Sequence, residues 1–209
     1  MRPAPLDQAS HPVGGGSPVN LPNALTVLRL LCVPLLIVLL VRSAEPSPIA
    51  RDLAAVLFVL ASLTDLVDGA IARARGQVTT FGKIADPIAD KALIATALIG
   101  LSALGQLPWW VTIIILGREV AVTALRFWVI EHGVIPASRG GKAKTVAQTV
   151  AITMYLVDVP PVPWWEAARA IAMGVAVALT LVTGIDYALR ARRLRHVAAG
   201  EITDDGAVR

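Results

Sequence analysis

Four aspartates carry the clearest chemistry in this sequence. Asp65 and Asp68 stand three residues apart, and Asp86 and Asp90 four apart. On α-helices either spacing puts both carboxylates of a pair on one face. In a low dielectric four such groups repel one another, so they need a positive partner, and a divalent cation is the simplest. Hard oxygen donors of one kind suit Mg²⁺ or Mn²⁺. Mg²⁺ commonly completes its shell with phosphates of a substrate, which points to a phosphorylated ligand. Around the aspartates, Gly69 and Gly82 leave the backbone open to close approach. Ala72 leaves room on the face of Asp65 and Asp68, and Arg73 on that face has the fork geometry to grip a phosphate oxygen. Taken singly, each aspartate reads equally well as a helix cap or a solvated charge. Asp86 before Pro87 reads as an N-cap with proline at the first helical position. The four together, at this spacing, read as a metal cluster.

The elements that position these residues are apolar. Of 209 residues, 56% are hydrophobic and 16% charged, against roughly 25% charged in an ordinary soluble domain. The mean hydropathy is +0.67. These values exclude a disordered chain, a coiled coil and a disulfide scaffold, and Cys32 is the single cysteine. Six apolar segments, at about 24–42, 50–72, 86–104, 109–131, 144–159 and 165–189, approach the roughly 20 residues that a helix needs to cross a bilayer. None alternates with a period of two, so helices rather than a barrel must satisfy the backbone in lipid. The expected fold is an all-α polytopic integral membrane protein with six transmembrane helices. It is flanked by a flexible Pro/Gly-rich tail at 1–19 and a polar C-terminal tail at 196–209, with the catalytic domain over 20–195. No internal repeat supports a transporter of inverted halves.

Charge sets the orientation. Arg73, Arg75, Lys83, Arg139, Lys142, Lys144, Arg190, Arg192, Arg193 and Arg195 fall on one side of such a bundle, and the other side's short loops hold Arg42 and Arg51. The positive-inside bias places the first set, and both termini, in the cytoplasm. Trp109–Trp110 and Trp164–Trp165 then fall at the outer interface. The net charge of +4 therefore reads as cytoplasmic loops facing anionic lipid head groups, not as nucleic-acid binding. The connection from Ala74 to Lys83 is short enough to make the second and third helices antiparallel neighbours. The two carboxylate pairs then face each other near the cytoplasmic surface. Arg169, in the outer half of the sixth span, is expected to snorkel outward.

Asp65-x-x-Asp68-Gly69-x-x-Ala72-Arg73, eight residues, then Gly82-x-x-x-Asp86-x-x-x-Asp90 resembles the full signature of the CDP-alcohol phosphotransferases. The resemblance covers about residues 20–190. Asn20 to Arg29, Asp86 to Lys91, Gly117-Arg118-Glu119 with Leu125-Arg126, and Gly141 to Gln148 are similar to segments of those members whose acceptor is glycerol 3-phosphate.

The resemblance implies transfer of a phosphatidyl group from CDP-diacylglycerol to sn-glycerol 3-phosphate, with CMP leaving. It implies two divalent ions on Asp65, Asp68, Asp86 and Asp90, and Asp90 as general base. It implies Gly69, Ala72, Arg73 and Gly82 as lining of the CDP site; Asn23, Thr26 and Arg29, which share a helical face, are weaker candidates for the nucleotide. It also implies a homodimer. An acceptor with its own phosphate needs further cations, for which Arg118, Arg126, Arg139, Lys142 and Lys144 are the candidates. Competing readings stand beside these: an internal ion pair of Arg118 with Glu119, topology signals for Lys142 and Lys144, capping or interhelical contacts for Asn23 and Thr26, and snorkelling for Arg29. The expected location is a bacterial-type plasma (inner) membrane with the site on the cytoplasmic side, where a lipid donor and a cytosolic acceptor meet. The alternatives are the same chemistry on another acceptor (inositol phosphate, phosphatidylglycerol or serine) and, from another class, an ion-coupled transporter, since buried acids also mark ion pathways.

Overall fold

The computed structural model describes the backbone of residues 21–44, 48–75, 80–129 and 139–198, and the side chains of 24–44, 49–64, 88–125 and 141–192. The tail expected at 1–19 and most of that expected at 196–209 lie outside these residues. The described residues form six α-helices and no strand: α1 Leu21–Arg42, α2 Pro48–Arg75, α3 Thr80–Ala103, α4 Trp109–Val129, α5 Arg139–Leu156 and α6 Pro163–Ala198. The all-α expectation holds, and each apolar segment corresponds to one helix.

Three helices extend well past the apolar segments at one end, whereas α5 ends at Leu156, short of the expected 159. α3 begins at Thr80, not near 86, α5 begins at Arg139, and α6 runs on through the arginine-rich stretch to Ala198. Polar turns lower hydropathy but do not interrupt the backbone hydrogen-bond ladder. Asp86 and Pro87 therefore lie inside α3, which corrects the reading of Asp86 as an N-cap. α2 is described to Arg75 and α3 from Thr80.

The chain turns tightly where the sequence provides for it. At the end of α3, Gly105 adopts a φ of 70°, a conformation that glycine reaches without a steric penalty. Its N–H donates to the Ser102 carbonyl at 3.0 Å, and the Gln106 N–H donates to the Leu101 carbonyl at 2.9 Å. This is the Schellman arrangement, which satisfies carbonyls that the helix end leaves open. Proline opens α6 at Pro163, where its missing N–H is no loss.

α1 packs on α2 and α3, α2 also on α5, and α6 on α4 and α5. The core runs through Leu36, Leu40, Phe58, Leu93, Leu98, Leu101, Ile115, Ile152 and Leu156, all nearly or fully buried. α1 and α3 approach closely at Gly100, where an added Cβ would lie 2.5 Å from Leu40 Cδ1. The outside of the bundle is apolar as well. Leu31, Leu60, Ile99, Ile113, Val150 and Val182, one on each helix, are exposed. Thr26, Arg29, Lys144, Gln148 and Thr180 are buried. Soluble proteins bury their large apolar residues and expose their cations; a bundle with apolar side chains outside and cations within suits lipid as its solvent. Among the described residues, Ala24–Arg42 and Pro163–Arg192 are long and apolar enough to cross a membrane.

One end of the bundle is tied by Arg51 near the start of α2. Its guanidinium donates to the carbonyls of Tyr155 at 2.9 Å and Leu156 at 3.2 Å, and to Gln106 Oε1 in the α3–α4 turn. Asp158 lies 3.7 Å from it. Arg169 of α6 sits 4.9 Å over the Tyr155 ring and pairs with Glu166, its Nε 2.8 Å from Oε2. The side chain expected to snorkel outward thus meets an acidic partner one turn nearer the start of α6 and an aromatic ring on α5. These contacts gather the start of α2, the α3–α4 turn, the end of α5 and the start of α6 at one end, so the helices alternate in direction. Arg51→Ala strands two helix-end carbonyls. It is expected to cost about 1–3 kcal/mol of stability, seen as a lower melting temperature in detergent, with the specific activity of the folded fraction unchanged. An unchanged melting temperature would contradict this role.

Candidate functional site

Away from the Arg51 end, the motif residues fall on two touching helices. Asp65 and Asp68 lie on α2, Asp86 and Asp90 on α3, and α2 and α3 are in contact. The side chains of Asp65, Asp68, Gly69, Ala72, Arg73, Gly82 and Asp86 lie outside the described residues, as do those of Asn23, Arg126 and Arg139. Among the described residues no three potential metal ligands come together. The donor set is nonetheless uniform: four carboxylates, spaced for one face of each of two adjacent helices. That set fits a hard divalent cation.

Asp90 is half-buried and close enough to Lys144 of α5 to act on it electrostatically. Its neighbour Lys91 donates to Thr123 Oγ1 of α4. Thr123 in turn donates to the backbone carbonyl of Glu119 at 2.7 Å. The Glu119 carboxylate joins two cations. Its Oε1 lies 3.0 Å from Arg118 Nη1 and also accepts a hydrogen bond from Lys144 Nζ. The second arm of Arg118 reaches Thr183 Oγ1 on α6 at 3.0 Å. Arg118 Nε is buried with no hydrogen-bond partner among the described residues. One turn beyond Lys144 on α5, buried Gln148 donates to Thr180 Oγ1 at 2.9 Å, and its Oε1 likewise has no such partner. Thr180 Oγ1 donates to the Ala176 carbonyl at 2.6 Å and so accepts from Gln148, which fixes the orientation of the Gln148 amide.

This network sorts the expected cations. Arg118 and Lys144 are brought together, and Lys144 is buried while Lys142 is exposed. The topology-signal reading therefore suits Lys142 and not Lys144. The Arg118–Glu119 ion pair is present, and Arg118 Nε has no partner among the described residues. Arg29 is 1% exposed and Thr26 fully buried, so Arg29 does not snorkel to the surface. Sequence reasoning gave no role to Lys91, Thr123, Gln148, Thr180 or Thr183, and gave Glu119 only that of an ion-pair partner for Arg118. A glutamate inside an apolar span was a visible signal, as was Gln148 four residues after Lys144. Which helix each would meet was not visible.

The described network thus buries Arg118 and Lys144 between α4, α5 and α6, next to the stretch of α3 that carries Asp90 and Lys91, inside an apolar helical bundle. The chain belongs to the CDP-alcohol phosphatidyltransferase family, whose family model matches residues 19–182. It is therefore a membrane-bound transferase of phospholipid biosynthesis. It is 49% identical over 175 residues to a protein of Mycobacterium tuberculosis (strain H37Rv) named probable phosphatidylglycerophosphate synthase, covering 83% of this chain and 82% of that one. It is 38% identical over 179 residues to the CDP-diacylglycerol–glycerol-3-phosphate 3-phosphatidyltransferase of Bacillus subtilis (strain 168), covering 80% and 93%. The Escherichia coli (strain K12) protein of that name is 37% identical over 179 residues, covering 83% and 95%.

Proposed function

We propose that this chain transfers the phosphatidyl group of CDP-diacylglycerol to the 1-hydroxyl of sn-glycerol 3-phosphate, releasing CMP and forming phosphatidylglycerol phosphate. The observation that carries this reading is the complete aspartate motif on α2 and α3 in a chain whose relatives, matched over 80–83% of its length, bear the name of that reaction. Asp65, Asp68, Asp86 and Asp90 would hold Mg²⁺ or Mn²⁺, two ions by analogy with the family, which when bound neutralise the pyrophosphate and the charge developing on the leaving CMP. Gly69, Ala72, Arg73 and Gly82 line the CDP site, with Asn23, Thr26 and Arg29 on α1 beside it. Asp90 takes the proton of the acceptor hydroxyl as that oxygen attacks the phosphatidyl phosphorus. Arg118 and Lys144 bind the acceptor's phosphate. Arg118 Nε has no acceptor among the described residues, and a guanidinium fork matches phosphate geometry. Arg126, Arg139 and Lys142 are further cations on the same helices, α4 and α5.

The membrane placement completes the reading. Six spans with both termini in the cytoplasm put the aspartates at the cytoplasmic mouth of a bacterial inner membrane. There a donor with its tails in the bilayer meets a water-soluble acceptor. The Arg51 end and its tryptophans face outward. The active unit is a homodimer, as in the family.

The test is CMP release by the purified protein in detergent with CDP-diacylglycerol and Mg²⁺, offering each acceptor in turn. Release that requires glycerol 3-phosphate is expected. Release only with inositol phosphate, phosphatidylglycerol or serine would keep the family and overturn the acceptor. A finer check concerns Gly184, where an added Cβ would lie 3.0 Å from Arg118 Cγ and 3.2 Å from its Nε. Gly184→Ala shifts a side chain held at both ends. It is expected to raise the KM for glycerol 3-phosphate by about threefold and leave that for CDP-diacylglycerol unchanged. Equal changes in both would contradict the placement of Arg118.

A further inference from the structure

We infer that Glu119 is a positioning residue for the acceptor site: it holds Arg118 and Lys144 in the arrangement that receives the acceptor's phosphate. The inference rests on the proposed function, which assigns those two cations to that phosphate. The Glu119 side chain is 18% exposed, that of Arg118 14% and that of Lys144 8%. A single carboxylate oxygen serves both cations, one from its own helix and one from α5. The backbone of Glu119 is pinned as well, through Thr123 to Lys91, the residue next to Asp90. Glu119 thus links the α4–α5 cations to the α3 turn that carries the proposed base.

Within this triad two buried cations share one carboxylate oxygen, with Asp90 of α3 acting on Lys144 from the other side, and Arg118 Nε adds a buried donor without a partner among the described residues. A phosphate group supplies negative charge and an acceptor for that donor. Glu119 therefore has two effects. It offsets enough charge for the cations to remain buried without a ligand, and it fixes the distance between them. Without its charge, two like charges face each other in a poorly solvated site, where an uncompensated buried charge is strongly unfavourable. They then separate, and the phosphate must gather them again when it binds.

The test compares wild type, Glu119→Gln and Glu119→Asp by steady-state CMP release, varying glycerol 3-phosphate and CDP-diacylglycerol separately, with melting temperatures measured alongside. Glu119→Gln is expected to raise the KM for glycerol 3-phosphate by about tenfold or more, in line with the loss of a charge-assisted contact. The KM for CDP-diacylglycerol stays within about twofold of wild type, as no contact to that site is removed. Glu119→Asp keeps the charge and is expected to fall between the two. It also carries the test where the glutamine variant does not fold. A purely structural role would lower the melting temperature and leave the acceptor KM of the folded fraction unchanged, which would overturn the inference. A lowered KM would overturn it too, since Glu119 would then be competing with the phosphate. If wild type itself releases no CMP with glycerol 3-phosphate, the proposed function falls and this inference with it. Wild-type activity with an unmoved KM in the variants overturns the inference alone.

Discussion

Asp90→Asn is expected to abolish CMP release, lowering kcat by about a thousandfold or more, while the protein stays folded. General-base catalysis alone contributes about 10²–10⁴-fold, and the same carboxylate is proposed to help hold the divalent cations. Asparagine matches aspartate in shape and can still accept a hydrogen bond, so α3 has no reason to repack. It can neither take a proton at neutral pH nor present a negative charge. Asp90 is half-buried in α3, acts electrostatically on Lys144, and stands next to the Lys91–Thr123 tie. The loss is therefore local to the junction of α3, α4 and α5. A melting temperature near wild type, together with lost CMP release at every acceptor concentration, is the expected pair of readings. More than about a tenth of wild-type activity would remove Asp90 from the role of base.

The second large effect is on the acceptor. Arg118→Ala is expected to raise the KM for glycerol 3-phosphate by about 10- to 100-fold, as the loss of a hydrogen bond between charged groups of about 1.5–3 kcal/mol requires. The KM for CDP-diacylglycerol should change little. Arg118→Lys restores the charge but not the fork that reaches both Glu119 Oε1 and Thr183 Oγ1, each at 3.0 Å. It should recover only part of the loss. An unchanged acceptor KM in Arg118→Ala would return Arg118 to a purely internal ion pair with Glu119.

The chemistry was more legible in the sequence than the packing. The aspartate pairs do fall on helices, α2 and α3, where positions three and four apart share a face. Each apolar segment became one helix because burial in lipid, like burial in a core, selects for apolar composition. Helix ends were misread where composition and backbone part company. Gly82, Lys83 and Asp86 lower hydropathy inside α3, and the arginines after residue 189 do so inside α6, yet both helices continue. Partners across helices were not legible. Glu119 is adjacent to Arg118 in sequence, but its second cation, Lys144, comes from a different helix. Arg169 has Glu166 three residues before it, a readable pair, whereas Tyr155 beneath its guanidinium is set by how α5 meets α6. Arg29 was read as able to reach the surface because a long side chain on an apolar helix commonly does. α2 and α3 both pack on α1, and Arg29 is enclosed within the bundle.

The most direct test of the central claim follows both products of one reaction. Purified protein in detergent receives CDP-diacylglycerol, Mg²⁺ and radiolabelled sn-glycerol 3-phosphate. CMP and lipid-extractable label are then measured together, with and without a chelator. The account predicts that label enters the lipid fraction as phosphatidylglycerol phosphate, one for one with CMP, and that the chelator stops both. CMP release without label in the lipid, or a labelled lipid formed at full rate in the presence of the chelator, would contradict it.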